Sequence, residues 1–370
     1  MPPRLSVQQI AFASLAAFLF ASASAAPTAQ ARSPSTLLLS HVQRHPGELP
    51  VVVVVAQKEA VLSDFMVPYG VLAQSGIAKV ISVNVVDGPL KAGPLTVNPE
   101  MTASEFDRAY PDGADYVIVP ATADDHAEEL AWLREQRTHG AAMISICDGV
   151  ELLAETGALD GRHATGHWAS LPDRRKDYPH VLWLTNVRYL GDGDVASSAG
   201  VSASLPISLA LVESIAGPQV ARETARRLGV ESWGAVHDSD VFKVSAADRA
   251  VHTANMNVKH NDVVALTVRE GDDEVALSLH AEAWSRTMRN EVRLVSEQGG
   301  VVRMRGGLRV QTQTAASLKP DIRISLREAA PAGTALPTDL DLISHRYGKG
   351  TARYAALGIE YPWGDLRVTR

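Results

Sequence analysis

The sequence predicts an α/β fold: a parallel sheet sandwiched by helices, followed by a C-terminal α+β extension. Three observations carry this. Strand-like and helix-like segments alternate from Pro50 onward. The strand candidates are unbroken apolar runs, such as the five valines Val51–Val55, which suits strands covered on both faces. The chain is 370 residues long, enough for two domains, and the alternation loses its regularity beyond about Phe242.

The elements follow in order. Pro50–Ala56 reads as a strand, Asp64–Gln74 as a helix stopped at Gly76, and Lys79–Val86 as a strand with a short extension at Gly93–Val97. Thr102–Tyr110 reads as a helix capped by Thr102, with Glu105 three residues on. Asp115–Val119 is a strand, Asp125–Gly140 a long helix, Ala142–Ile146 a strand and Val150–Gly157 a helix. Val181–Thr185 and Val187–Leu190 follow as strands, the latter turning back through Gly191-Asp192-Gly193. Ala203–Ala216 and Val220–Leu228 are amphipathic helices. In the remainder, Asp262–Val268, Glu274–Leu279, Glu291–Val295, Val301–Arg305 and Leu308–Thr312 read as strands. Ala281–Met288 and Asp339–Tyr347 read as helices, and Gly299-Gly300 and Gly306-Gly307 as hairpin turns. The pattern from Glu274 to Thr312 echoes Val51–Val97 as a degenerate half-copy, an idea that a different strand order would overturn.

The N-terminus stands apart from the fold. Arg4, the apolar run Ile10–Phe20 and the small residues Ala23-Ser24-Ala25 form a secretory leader, residues 1–25, with cleavage before Ala26. The run falls short of the roughly 20 apolar residues that a retained anchor needs, and no other segment is long and apolar enough to cross a bilayer. The expected location is therefore periplasmic or secreted, with no membrane span after processing. Residues 26–48 read as a flexible spacer, 49–243 as the first domain and 244–370 as the extension. A net charge of −7 without a long basic run argues against nucleic acid as a partner. The expected partner is a small-molecule substrate or ligand.

Cys147 is the only cysteine. It follows the apolar run Ala141–Ile146 and precedes Asp148-Gly149 and a helix, so it occupies a strand–turn–helix corner at the C-terminal edge of a sheet. A helix N-terminus behind a thiol lowers its pKa and makes a nucleophile of it. An exported chain with a single cysteine has no internal disulfide, so the thiol is either used or buried.

Four ordered blocks resemble the DJ-1/PfpI family of the class I glutamine amidotransferase-like superfamily. Ile144–Gly149 resembles its cysteine elbow, a device shared with the nucleophile elbow of hydrolases. Here Gly149 keeps the second small position and Ser145 replaces the first glycine. Leu152–Trp168 resembles the family's "LA-x-AGLLDGR-x-ATTHW" block, and Ser198–Ala203 with Leu209–Glu213 its closing "SAG-x-x-A…LALVE" helix. Asp64–Pro68 resembles the segment that holds the acidic partner. The likeness covers about residues 50 to 240 and implies a flavodoxin-like fold. Nearest in pattern is the subgroup joined to an AraC-type DNA-binding tail, but no helix-turn-helix is evident and the leader argues against transcription.

The resemblance implies Cys147 as nucleophile and Asp64 as acid, the two sharing one proton. Asp64 also suits a helix N-cap. It implies His167 as a base or orienting group, where a packed structural histidine is the alternative. Thr165 and Trp168 would line the pocket. The family's "PGG" is replaced by Val119-Pro120-Ala121-Thr122, so the Ala121 and Asp148 amides would form the oxyanion site. No cofactor and no metal are expected: His237-Asp238-Ser239-Asp240 lacks the spacing of zinc motifs and reads as a solvated loop. Relatives often form homodimers, and the extension is an alternative cover for that surface. The implied activity is hydrolysis or hydration of a small electrophilic substrate. The alternatives are a non-catalytic envelope protein that binds a ligand or senses oxidants, or a pseudoenzyme scaffold.

Overall fold

The computed structural model describes residue 39 and residues 47–85, 88–122 and 127–366. The expected leader, nearly all of the spacer, the end of the second strand and the start of the 125–140 helix lie outside the described residues.

Strand β1 (Val51–Ala56) leads into helix α1 (Leu62–Ser75), β2 (Lys79–Asn84), the hairpin β3 (Leu90–Ala92) and β4 (Leu95–Asn98), and the short β5 (Met101–Thr102). Helix α2 (Ala103–Ala109) begins at a capping box formed by Thr102 and Glu105. Then come β6 (Tyr116–Val119), α3 (Ala127–Thr138), β7 (Ala142–Ser145), α4 (Gly149–Glu155), β8 (His163–Ala164), α5 (Leu171–Asp177) and β9 (Leu182–Trp183). The hairpin β10 (Tyr189–Asp192) and β11 (Val195–Ser198) precedes α6 (Ser204–Leu228). The first sheet runs β10-β11-β7-β6-β1-β2-β5 and is parallel except for the β10–β11 pair.

The valine run explains the layers. β1 lies between β2 and β6, so its alternate side chains feed two cores. Val52 and Val54 pack with the apolar face of α1 and α6, and Val53 and Val55 with Trp132 of α3 and Leu153 of α4. This is the flavodoxin-like sandwich that the sequence predicts. Helix α6 contains both predicted helices, joined across Gly217, where φ 83 and ψ 170 break the helical path ahead of Pro218. By length and composition alone, Val201–Leu228 would span a bilayer, contrary to the expectation above. Its first half is buried in the core instead.

The extension starts with α7 (Ala246–Met256), β12 (Asp262–Thr267), α8 (Glu274–Ser285) and β13 (Asn290–Ser296). It continues through the hairpin β14 (Gly300–Arg303) and β15 (Arg309–Thr314), then β16 (Ile322–Ser325), α9 (Ala332–Tyr347) and α10 (Lys349–Gly358). Its sheet runs β16-β12-β13-β15 and continues into β4 and β3, so the first part's hairpin belongs to the second sheet. The layout of β12, α8 and β13 matches that of β1, α1 and β2. Val51 pairs with Lys79 and Asp262 with Asn290, the same 28-residue offset, both parallel. Each first strand has a further parallel neighbour, β6 and β16 respectively. Matching elements also meet one another. β4 pairs antiparallel with β15, and α1 packs on α8, with a Cβ at Gly70 destined to lie 2.6 Å from Val275.

One expectation fails here. Glu274–Leu279 is the start of α8, not a strand. Glu274 through Trp284 is buried without interruption, so the segment has no polar stripe to betray a 3.6-residue period. Helices α7 and α10 and strand β16 were not anticipated.

A polar network locks α8 to α9. His280 Nδ1 lies 2.5 Å from Asp339 Oδ2, its Nε2 donates to the Ala330 carbonyl at 3.0 Å, and Trp284 Nε1 donates to Asp339 Oδ1 at 3.1 Å. All three side chains are buried. Removing one member of such a pair strands the other. Asp339→Asn is expected to lower the unfolding free energy by about 3 kcal/mol, read by urea denaturation; a change below about 0.5 kcal/mol would remove the network's structural role.

Candidate functional site

Cys147 sits between β7 and α4 with φ 56, one of few non-glycine residues in the left-handed region. Its N–H donates to the Ala199 carbonyl at 3.2 Å. Gly149 permits the turn because a Cβ there would lie 2.2 Å from the Val119 carbonyl oxygen. This is the elbow the sequence predicts, and it fixes the residue in a conformation that costs on the order of 1–3 kcal/mol.

The sulfur is nonetheless enclosed: Cys147 is 5 % exposed. Burial pushes the thiol's pKa well up, and the charges of Asp64, Asp148 and Glu360 add to it, opposed by the Asp148 amide. These effects run against the lowering expected from the seven-residue helix α4 behind the thiol.

Asp64 lies in the first turn of α1 and is fully buried, but Val61 is the N-cap, so the capping role does not apply. Burial first, and then the Glu282 charge, raise its pKa well above the usual carboxylate range. Its Oδ2 accepts the Ala121 N–H at 3.4 Å, while Oδ1 has no partner. The Ala121 amide is thus engaged by the acid and is not free for the oxyanion role expected of it. The Asp148 amide is directed at Cys147. The Asp148 carboxylate accepts Arg174 Nη1 at 2.7 Å and Ser170 Oγ at 2.6 Å. Arg174 is itself buried and also donates to the His167 carbonyl at 2.8 Å.

His167 is 5 % exposed, and burial lowers its pKa, which favours the neutral ring. Nδ1 accepts the Ala169 N–H at 3.4 Å and Nε2 is buried without a partner. With Nδ1 accepting, the ring proton belongs on Nε2, a spare donor. The ring packs on Gly200, where a Cβ would come 2.5 Å from Cδ2. Among the described residues neither Asp64 nor His167 hydrogen-bonds Sγ, so the three groups share one region without forming a bonded triad.

Sequence reasoning missed the contribution of the extension. Glu282 on α8 accepts Ser63 N–H at 3.2 Å and Arg286 Nε at 2.6 Å. The charges of Cys147 and Asp64 act on the Arg286 guanidinium in turn. Glu360, just beyond α10, meets His237 Nε2 at 2.8 Å. His237 is buried at that contact and stacks on Phe242, so it is not the solvated loop residue expected. Thr165 and Trp168 line a cavity of about 160 Å³ together with Arg174, His237 and Glu360, whose lining does not include Cys147, Asp64 or His167. No local motif marks Glu282, Arg286 or Glu360; only the packing of α8 and α10 brings them here.

Comparison with known proteins agrees with this construction. The DJ-1/PfpI family model matches residues 50–214. The HTH-type transcriptional regulator CdhR of Pseudomonas aeruginosa is 36% identical over 98 residues, 26% of this chain and 29% of the regulator. Isonitrile hydratase of Pseudomonas putida is 27% identical over 115 residues, 29% of this chain and 48% of that enzyme. The chain thus spans less than half the length of these two relatives. The crystal structure of Drosophila melanogaster DJ-1beta aligns at a TM-score of 0.45 with 20% identity, covering 50% of this chain and 100% of that one. Residues 50–214, which hold the elbow, the buried acid and the histidine, are thus the part of the chain that matches the DJ-1/PfpI family model.

Proposed function

We propose that this chain is an exported, cysteine-dependent enzyme that hydrates or hydrolyses a small electrophilic substrate. The observation that carries the reading is a pair of unpartnered buried atoms, Asp64 Oδ1 and His167 Nε2, in the region of the Cys147 turn. An orphaned buried polar group costs about 1–3 kcal/mol, and of the buried atoms without a partner among the described residues these two belong to the acid and the histidine nearest the Cys147 turn. A reacting molecule that gains charge would meet both. In this reading Cys147 Sγ forms a bond to the electrophilic carbon and the thiol proton passes to the substrate's basic atom. Asp64 in its acid form and the His167 Nε2–H hydrogen-bond the developing charge. Water then attacks the carbon, the S–C bond breaks and the thiol regains a proton. The relative from Pseudomonas putida is an isonitrile hydratase, so isonitriles lead the substrate panel, followed by nitriles and aldehydes.

The raised thiol pKa weighs against oxidant sensing, because peroxide reacts with the thiolate. The cavity beside Trp168 favours ligand binding as the second reading. We further propose that the extension is a degenerate half-copy of the first domain serving as cover for α1.

Turnover of at least one class in the panel is expected, with a loss of roughly a thousandfold or more on Cys147→Ser and roughly a hundredfold on Asp64→Asn. Saturable binding of panel members without turnover would replace catalysis by ligand binding. In the resting protein, a raised pKa means that alkylation by iodoacetamide climbs only above the free-thiol value of about 8.5. At pH 7 the native protein should react at least tenfold more slowly than the urea-unfolded chain. A midpoint below 8.5 would contradict the neutral resting thiol. For export, N-terminal sequencing of envelope-fraction protein should begin at Ala26; an intact Met1 in the cytosol would refute it.

A further inference from the structure

We propose that Glu360, supplied by the C-terminal extension, is a positioning residue of the Cys147 site that holds the His167 turn and the Ala199–Gly200 turn together beside the sulfur. The proposal rests on the cysteine-enzyme reading for its consequence in catalysis, but its geometry stands apart from that reading. Glu360 is 0 % exposed and adopts φ 54, a left-handed conformation unusual for a side chain of its size. Such strain persists only where the surroundings over-determine it, and here they do. Oε2 accepts the Gly200 N–H at 2.7 Å and the Trp168 N–H at 3.3 Å, while Oε1 meets His237 Nε2 at 2.8 Å. The Glu360 carbonyl accepts Ser202 Oγ at 2.6 Å, the neighbouring Ile359 carbonyl accepts Ser202 N–H at 2.9 Å, and the Leu357 carbonyl accepts Trp168 Nε1 at 3.1 Å.

These bonds fall on two turns that matter. Trp168 follows His167. Gly200 follows Ala199, whose carbonyl anchors the Cys147 N–H. Gly200 is confined between the two groups: a Cβ there would lie 2.5 Å from His167 Cδ2 and 2.6 Å from Glu360 Oε2. A carboxylate this deep is retained only where donors replace its lost water, and three donors converge on this one.

Its charge also reaches the sulfur. Three carboxylates oppose ionisation of Cys147, namely Asp64, Asp148 and Glu360. Asp64 is driven toward its neutral acid, and Asp148 is paired with Arg174. Glu282 is paired with Arg286, the guanidinium on which Cys147 acts. His167 is neutral, and His237 is already bonded to Glu360. That leaves Glu360 as the negative charge that a substitution can remove while keeping the hydrogen bonds. Glu360→Gln retains an acceptor for Gly200 and Trp168; Glu360→Ala retains none.

The test is iodoacetamide alkylation of Cys147 against pH in the full-length protein, with circular dichroism and thermal unfolding as controls. Glu360→Gln is expected to lower the thiol midpoint and raise the rate at pH 7, with the fold intact. Glu360→Ala should loosen both turns, giving faster alkylation with a further rise in accessibility. A folded Glu360→Ala that alkylates within about 1.6-fold of the unsubstituted protein, or a Glu360→Gln midpoint that rises instead of falling, would overturn the proposal. Because alkylation needs no substrate, failure to find turnover would leave this result standing. If turnover is found, Glu360→Gln should move the acid limb of its pH profile in the same direction; a kcat loss without such movement would also count against the proposal.

Discussion

A carboxylate inside a protein survives only if something replaces the water it has lost. Four of them, Asp64, Asp148, Glu282 and Glu360, converge on the neighbourhood of one sulfur, and each meets that demand differently. Asp64 shifts toward its acid form. Asp148 takes the buried guanidinium of Arg174 and the hydroxyl of Ser170. Glu282 takes Arg286 and the Ser63 amide. Glu360 takes two backbone amides and an imidazole. The elbow aims the sulfur; burial first, and then the charges of Asp64, Asp148 and Glu360, favour its neutral form.

Two of the four come from beyond residue 243, which changes what the extension is for. Strand β15 pairs with β4 and helix α8 packs on α1, like meeting like, as in an isologous contact between two subunits. Here the contact is within one chain. A contact made within one chain avoids the entropy of bringing two chains together. The covering unit brings Glu282 and Arg286 on the helix that faces α1, and Glu360 on the turn just after α10.

Much of this was legible in the sequence, for reasons that are local. Five consecutive valines can only be a doubly covered strand, and Thr102 with Glu105 can only cap a helix beginning between them. The elbow was legible because Cys147, Asp148 and Gly149 come directly after an apolar run. The four blocks of family likeness then placed Asp64 and His167 in the right region. What failed was non-local. One helix end points to a lowered thiol pKa, whereas burial of the folded turn pushes it the other way. The Ala121 amide looks free in the sequence, whereas Asp64 turns back to accept it. Helix α8 resembles a strand at its start because full burial erases the amphipathic period. Arg286 and Glu360 carry no motif at all.

The extension also explains why there is one site and not two. The matching layout ends with β16, the counterpart of β6, after which the chain forms α9 rather than a strand and elbow equivalent to β7 and Cys147. By the offset that carries Val51 to Asp262, the counterpart of Asp64 in α8 is Val275, so the acid is missing as well. Glu274 Oε1 accepts the Gly306 amide at 2.8 Å, and Glu282 serves the first unit's α1. A unit that has no nucleophile of its own is free to let its ionisable residues follow the needs of its neighbour. That freedom permits Glu360 to occupy a strained backbone conformation with its carboxylate fully buried: the strain belongs to the covering unit, while the donors that hold it, at Gly200, Trp168 and His237, belong to the unit that carries the thiol.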